Sequence, residues 1–227
     1  VFGLDERIAT FSNGTTLLIV VAVSMLLGLR HAGDPDHLAA VTTMIASGKE
    51  RAARRAARLG LTWGLGHATS LFVFGLPVIL YSAYLPTAVQ KAAETSVGFL
   101  IVLLSLFLLL RWRRGAFHHA TVHTHAARTG WQAYGIGLIH GMGGTAGVGL
   151  LLLTTIQSRL LGVAALAIFA FGTAVSMAAL STGFGLALAS APVRRSFHVL
   201  APALGSASLA FGVWYALGAQ GLVPYVF

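Results

Sequence analysis

The sequence predicts an all-α integral membrane protein of six transmembrane helices, arranged as two inverted three-helix repeats, with the first helix broken near Pro35. Three observations predict it. Of the 227 residues, 56% are hydrophobic and only 9% are charged, against about 25% charged in a soluble globular domain. The apolar residues fall in runs of roughly 20, the length that crosses about 30 Å of hydrocarbon. The Lys and Arg residues gather in alternate loops between these runs.

Span one runs from about Thr15 to Ser47. Pro35 lies inside it, and a proline lacks an amide donor and clashes with the preceding turn, so a kink or unwound stretch is expected there. The run is read as a span and not as a cleaved signal, because it leads directly into the densest group of ionisable residues with no small-residue cleavage pattern. Span two covers about Gly60 to Tyr81 and span three Ala93 to Trp112. Span four covers Trp131 to Ile156, span five Leu160 to Ser190 and span six Val199 to Ala219. The chain, 1–227, is one transmembrane domain: half one at 14–112, a His/Arg-rich loop at 113–130, and half two at 131–220.

The loops set the orientation. Loop one holds Lys49, Arg51, Arg54, Arg55 and Arg58; loop three holds Arg111, Arg113, Arg114 and Arg128; loop five holds Arg194 and Arg195. The other side holds Arg7, Lys91 and Arg159. Short cytoplasmic loops are the ones enriched in Lys and Arg. Loops one, three and five are therefore placed in the cytoplasm and both termini outside it, in a plasma (inner) membrane. The net charge of +9 is accounted for by these loops, and a nucleic-acid partner is not expected, since no folded soluble face presents the charge. The chain has no cysteine, which excludes thiolate metal sites, thiol redox chemistry and a Cys nucleophile.

The halves echo each other. Gly28-Leu29-Arg30-His31 recurs as Gly137-Leu138-Ile139-His140, and Gly66-His67-Ala68-Thr69-Ser70 as Gly172-Thr173-Ala174-Val175-Ser176, at offsets of 109 and 106 residues. Three spans per half give the halves opposite topology, the inverted-repeat plan of many secondary transporters.

The segment Arg30-His31-Ala32-Gly33-Asp34-Pro35-Asp36-His37 puts five ionisable side chains within eight residues of an apolar span. Each such charge near the bilayer centre costs about 2.5 kcal/mol or more unless paired or hydrated. Gly33 and Pro35 imply an interrupted helix whose freed carbonyls face a cavity. Imidazole and carboxylate together suit Ni, Co, Zn or Cu, whereas all-oxygen sites suit Mg or Ca. On a regular helix His31, Asp34 and His37 fall at i, i+3 and i+6, neighbours on one face. Asp36 points elsewhere unless the break re-aims it, and is either a ligand or an acceptor that orients an imidazole. Arg30 either neutralises a carboxylate in the empty state or lines the exit.

His67 in span two and His140 in span four sit roughly 10–14 Å deep at 1.5 Å per residue, level with the first cluster. Alone, each is as readily a hydrogen-bonded packing residue as a ligand. Thr69, Ser70, Thr145 and Ser176 read as interhelical hydrogen-bonding groups. In loop three, His118, His119, His123 and His125 form either a cytoplasmic metal relay or a solvated tract of neutral histidines.

His31-Ala32-Gly33-Asp34-Pro35-Asp36-His37 matches the HX4DH signature of the nickel/cobalt transporter (NiCoT) family. Arg30 before it and Leu38-Ala39-Ala40-Val41 after it resemble that family too, especially its smaller permeases associated with urease accessory proteins. Gly64-Leu65-Gly66-His67 and Gly137-Leu138-Ile139-His140-Gly141 resemble further family segments. The family pattern has eight spans where this chain reads as six, and Gly33 and Pro35 replace bulkier or helix-favouring residues.

The resemblance implies a secondary permease for Ni²⁺ or Co²⁺, with Zn²⁺ as a further candidate ion. It makes His31, Asp36 and His37 the residues expected to be required, and Asp34 close behind. It implies no enzyme activity and no cofactor beyond the transported ion. No GxxxxGK[ST] loop occurs in the sequence, so no ATP site is expected in it. Two alternatives remain from the residues alone. One is a membrane-embedded zinc hydrolase, though no HExxH helix motif is present. The other is a permease for a non-metal substrate, with Arg30 as its ligand.

Overall fold

The computed structural model describes residues 14–46, 52–81, 86–115, 129–143 and 158–224. The regular elements among them are all α-helices: α1 (Gly14–His31), α2 (Pro35–Ala46), α3 (Ala52–Tyr81), α4 (Thr87–Arg113), α5 (Gly130–His140), α6 (Arg159–Ala189) and α7 (Ala191–Ala219). Four segments are long and apolar enough to cross a membrane: Ala56–Tyr81, Thr87–Arg113, Arg159–Ala187 and Ser196–Ala219, with Leu18–His31 a shorter apolar helix. Their outward faces carry Leu26, Val73, Phe99 and Phe171, each more than half exposed. So much apolar surface does not face water in a monomeric soluble protein. The protein is a multi-pass helical membrane protein.

Two expectations about element boundaries are corrected. Span four is not one helix from Trp131 to Ile156: α5 stops at His140, where Gly141 and Gly143 remove helix propensity, and residues 144–157 lie outside the described set. No loop separates spans five and six, because only one residue lies between the end of α6 at Ala189 and the start of α7 at Ala191. Ser190 is the joint, and Pro192 in the first turn of α7 has the fixed φ that suits a helix start.

The break in span one is where the proline placed it. Gly33 N–H donates to Arg30 O at 2.9 Å and Asp34 N–H to His31 O at 3.1 Å, tight turns that close α1. Asp34 O then accepts from Leu38 N–H at 3.0 Å and opens α2. Pro35 is thus the first residue of α2, where its missing N–H is no loss.

α3 and α6 pack against each other antiparallel at the centre: Gly60 meets Ser181 and Met177, and Gly64 meets Ala174. α4 and α7 are antiparallel over their whole length. Gln220 Nε2 donates to Thr95 Oγ1 at 2.7 Å at one end, and Trp112 Nε1 to His198 O at 2.8 Å at the other.

α1 lies on α6, and α5 lies on α3, in matching register. A Cβ at Gly28 would collide with the Phe169 carbonyl, and one at Gly137 with the Trp63 carbonyl. Ser176 Oγ donates to Leu29 O at 3.0 Å, and Ser70 Oγ to Leu138 O at 2.6 Å. Both serines are the interhelical donors expected of them. Thr69 joins them, with its hydroxyl 3.0 Å from Tyr134 Oη.

Candidate metal centre

The six ligand candidates come from four helices and one turn. His31 is the last residue of α1, Asp34 lies in the turn, Asp36 and His37 are in the first turn of α2, His67 is mid-α3, and His140 ends α5. All six are buried. The structure brings His67 and His140 to the first cluster, so neither is an isolated packing histidine.

The contacts are short. His31 Nδ1 lies 3.0 Å from Asp34 Oδ2, and His31 Nε2 lies 3.2 Å from His67 Nε2. His37 Nδ1 lies 3.2 Å from Asp36 Oδ1. Asp36 Oδ2, the other oxygen, is 3.2 Å from His140 Nε2. Asp36 therefore stands between two imidazoles, and the Pro35 break has aimed it inward. The His37 ring is central, with centroids 4.6 Å from His31, 5.0 Å from His67 and 4.3 Å from His140.

Two sets of donor atoms could each hold one ion: His31, His37 and His67, and Asp36, His37 and His140, with the atoms of each set within 4.8 Å of one another. With metal–nitrogen bonds of about 2.1 Å, two donors on one ion stand roughly 3.0–3.4 Å apart for bond angles between square and tetrahedral. The His31–His67 nitrogen separation is already in that range. His37 Nε2, His67 Nδ1 and His140 Nδ1 have no hydrogen-bond partner among the described residues. Buried polar atoms are normally satisfied, so donor capacity is left at this point.

The backbone adds to the field. α1 and α5 both end at the cluster, and a helix C-terminus carries partial negative charge that favours a cation. Asp36 sits in the first turn of α2, where an anion suits the positive helix end. Arg30 is exposed on the last turn of α1, while a histidine stands against each carboxylate. His118, His119, His123, His125 and Thr145 lie outside the described residues.

Two aromatics border the cluster that the motifs did not single out. Trp63 has its ring centroid 5.7 Å from both His37 and His140, and Phe169 lies 5.6 Å from His31. The signal was present: Trp63 is four residues before His67 and Phe169 four before Thr173, so each shares a helix face with its partner.

A bundle of long apolar helices, two of its elements ending at a buried imidazole–carboxylate group, is a membrane protein with a site suited to a metal cation. Residues 17–123 match the family model described as high-affinity nickel-transport protein, NicO. The chain is 28% identical over 209 residues to the urease accessory protein UreH of Bacillus sp. (strain TB-90), an alignment covering 88% of this chain and 91% of that protein. The matched stretch contains the His31–His37 motif and His67. No solved structure matches it.

Proposed function

We propose that this protein is a secondary permease for a transition-metal cation, Ni²⁺ or Co²⁺, and that His31, Asp34, Asp36, His37, His67 and His140 form its ion site. The likeness of residues 17–123 to the family model for high-affinity nickel-transport proteins supports transport over hydrolysis. The observation that carries the site is the pair of donor sets sharing His37 inside a fully buried cluster. Nitrogen and carboxylate donors without thiolate suit Ni²⁺, Co²⁺ or Zn²⁺ over Mg²⁺ and Ca²⁺.

An entering ion loses water and takes imidazole nitrogens and a carboxylate oxygen in exchange. Asp34 and Asp36 hold His31 and His37 by one ring nitrogen, which leaves the other nitrogen of each to face the ion. The two halves act as inverted repeats that rock about this point. Support for that reading is the matching register of the α1–α6 and α5–α3 contacts, at the 109- and 106-residue offsets of the sequence echoes. Loops one and three and the Arg194–Arg195 start of α7 face the cytoplasm of the plasma membrane in this scheme, with both termini opposite. Protons compete for the same imidazoles, which gives a route to proton coupling. The loop histidines 118, 119, 123 and 125 serve as a cytoplasmic relay.

The test is accumulation of radioactive Ni²⁺ in cells with this protein, with its His37→Ala variant, and with neither. Accumulation above empty cells that the variant loses identifies an importer. A deficit below empty cells that the variant loses identifies an exporter. No difference for nickel, cobalt or zinc would sink the permease reading.

A further inference from the structure

A permease must be shut on each side of the ion it holds. We propose that Trp63 and Phe169 are its two closures, one on each side of the histidine cluster. This rests on the alternating-access permease reading.

The placement comes from helix direction. α3 and α6 run antiparallel, as the Gly60–Ser181 and Gly64–Ala174 approaches require. Trp63 precedes His67 by four residues and Phe169 precedes Thr173 by four, about 6 Å in each case at 1.5 Å per residue. In antiparallel helices those displacements point in opposite directions. The two rings therefore stand at opposite ends of the level that holds His67.

Each ring covers a different member of the cluster. Phe169 lies over His31, and Trp63 lies over His140 and His37. Both aromatics are 1% exposed. His37, His67 and His140 are fully buried beside them, and an ion held among these three would be closed off.

The closures are also tied to the ligands they cover. Gly28 of α1 rests on the Phe169 carbonyl, three residues before His31, and Gly137 of α5 rests on the Trp63 carbonyl, three before His140. A shift of α1 on α6 moves His31 relative to Phe169, and a shift of α5 on α3 moves His140 relative to Trp63. One motion thus changes both coordination and access.

Trp63 carries a further mark. Its buried Nε1 has no hydrogen-bond partner among the described residues. A buried donor without a partner is disfavoured, and swinging the indole toward water relieves that. The closed position is one the ring can leave.

The cysteine-free sequence allows a direct test on the full chain. His67→Cys places one thiol inside the cluster. Its reaction with a charged, membrane-impermeant maleimide is followed in right-side-out and inside-out vesicles. Alone, the thiol is expected to react slowly from either side. Adding Trp63→Leu should raise the rate about tenfold or more from one side only. Adding Phe169→Leu should raise it similarly from the other side only. Phe171→Leu, at an outward-facing position of α6, should change neither.

Faster labelling from the same side in both variants, from both sides in either, or no change in either overturns the proposal. If Trp63→Leu does not accumulate, Trp63→Phe is read in the same way, with a smaller rise on the same side. Nickel accumulation by the unsubstituted chain is measured separately. A chain that shows the sided labelling pattern yet moves no metal would contradict the permease and leave the closures standing.

Discussion

Helices α1 and α5 both stop inside the bundle at a histidine, yet the residues beyond the two stops differ. After His31 come Gly33, Asp34, Pro35, Asp36 and His37, each with a chemical or conformational role in the site. After His140 come Gly141, Met142 and Gly143, none of which offers a ligand. The partner helices, α6 beside α1 and α3 beside α5, differ in the opposite sense. α3 presents His67 where α6, in matching register, presents Thr173, whose hydroxyl is turned back to Phe169 O at 2.9 Å.

The packing around the two ends is nevertheless alike: a glycine against a carbonyl, a serine hydroxyl on the residue two before the histidine. Small residues and hydroxyls set helix approach in lipid, and they do so equally at both ends. Ligand chemistry is divided unequally: His31, Asp34, Asp36 and His37 stand at the α1 end, His67 and His140 at the α5 end. Scaffold and site are thus separable, and substitutions can address one without the other.

The largest effect is expected at His37, which belongs to both donor sets. His37→Ala should remove Ni²⁺ binding measured by titration calorimetry on purified protein. His67→Ala should leave the Asp36–His37–His140 set and a weakened but measurable affinity. Equal loss in both variants would mean that the two sets are not independent.

Asp36→Asn comes next. It replaces the oxygens facing His37 and His140 with a weaker partner, and a supporting carboxylate is typically worth 10–100-fold in metal affinity. If only uptake rate fell and affinity held, Asp36 would act on movement and not on binding.

Gly28→Ala and Gly137→Ala probe the shared packing. Each forces a Cβ into an opposing backbone, and overpacking of that kind costs about 1–3 kcal/mol. Both should lower the thermal midpoint in detergent, and by similar amounts. Gly135→Ala meets nothing within 4 Å and should be neutral or stabilising, since alanine is the better helix former. A large loss at one glycine alone would break the equivalence of the two ends.

The smallest effect belongs to Ser70→Ala and Ser176→Ala. Interhelical hydrogen bonds in membrane proteins average about 0.6 kcal/mol, so each should lower unfolding free energy by roughly that much. A difference well beyond that figure between the two would show that one interface carries more of the fold.

The membrane class, the helix break at Pro35 and the expensive charge cluster at His31–His37 were all legible in the residues alone. The reason is local: apolar run length, a missing amide donor and the cost of a buried charge are properties of neighbouring residues. The same residues pointed to His67 and His140 but left each as readily a packing residue as a ligand. Membership of a cluster is a distance between helices and not a property of either helix.

That distance came from helix packing. It placed His67 3.2 Å from His31 and His140 3.2 Å from Asp36, and turned Asp36 inward. The fold also ended α5 at His140, where hydropathy continued unbroken through the glycines. Trp63 and Phe169 border the site because packing sets their rings 5.7 Å from His37 and 5.6 Å from His31. A hydrophobic ring on a hydrophobic helix carries no local signal of which surface it will cover; the neighbouring helices supply it.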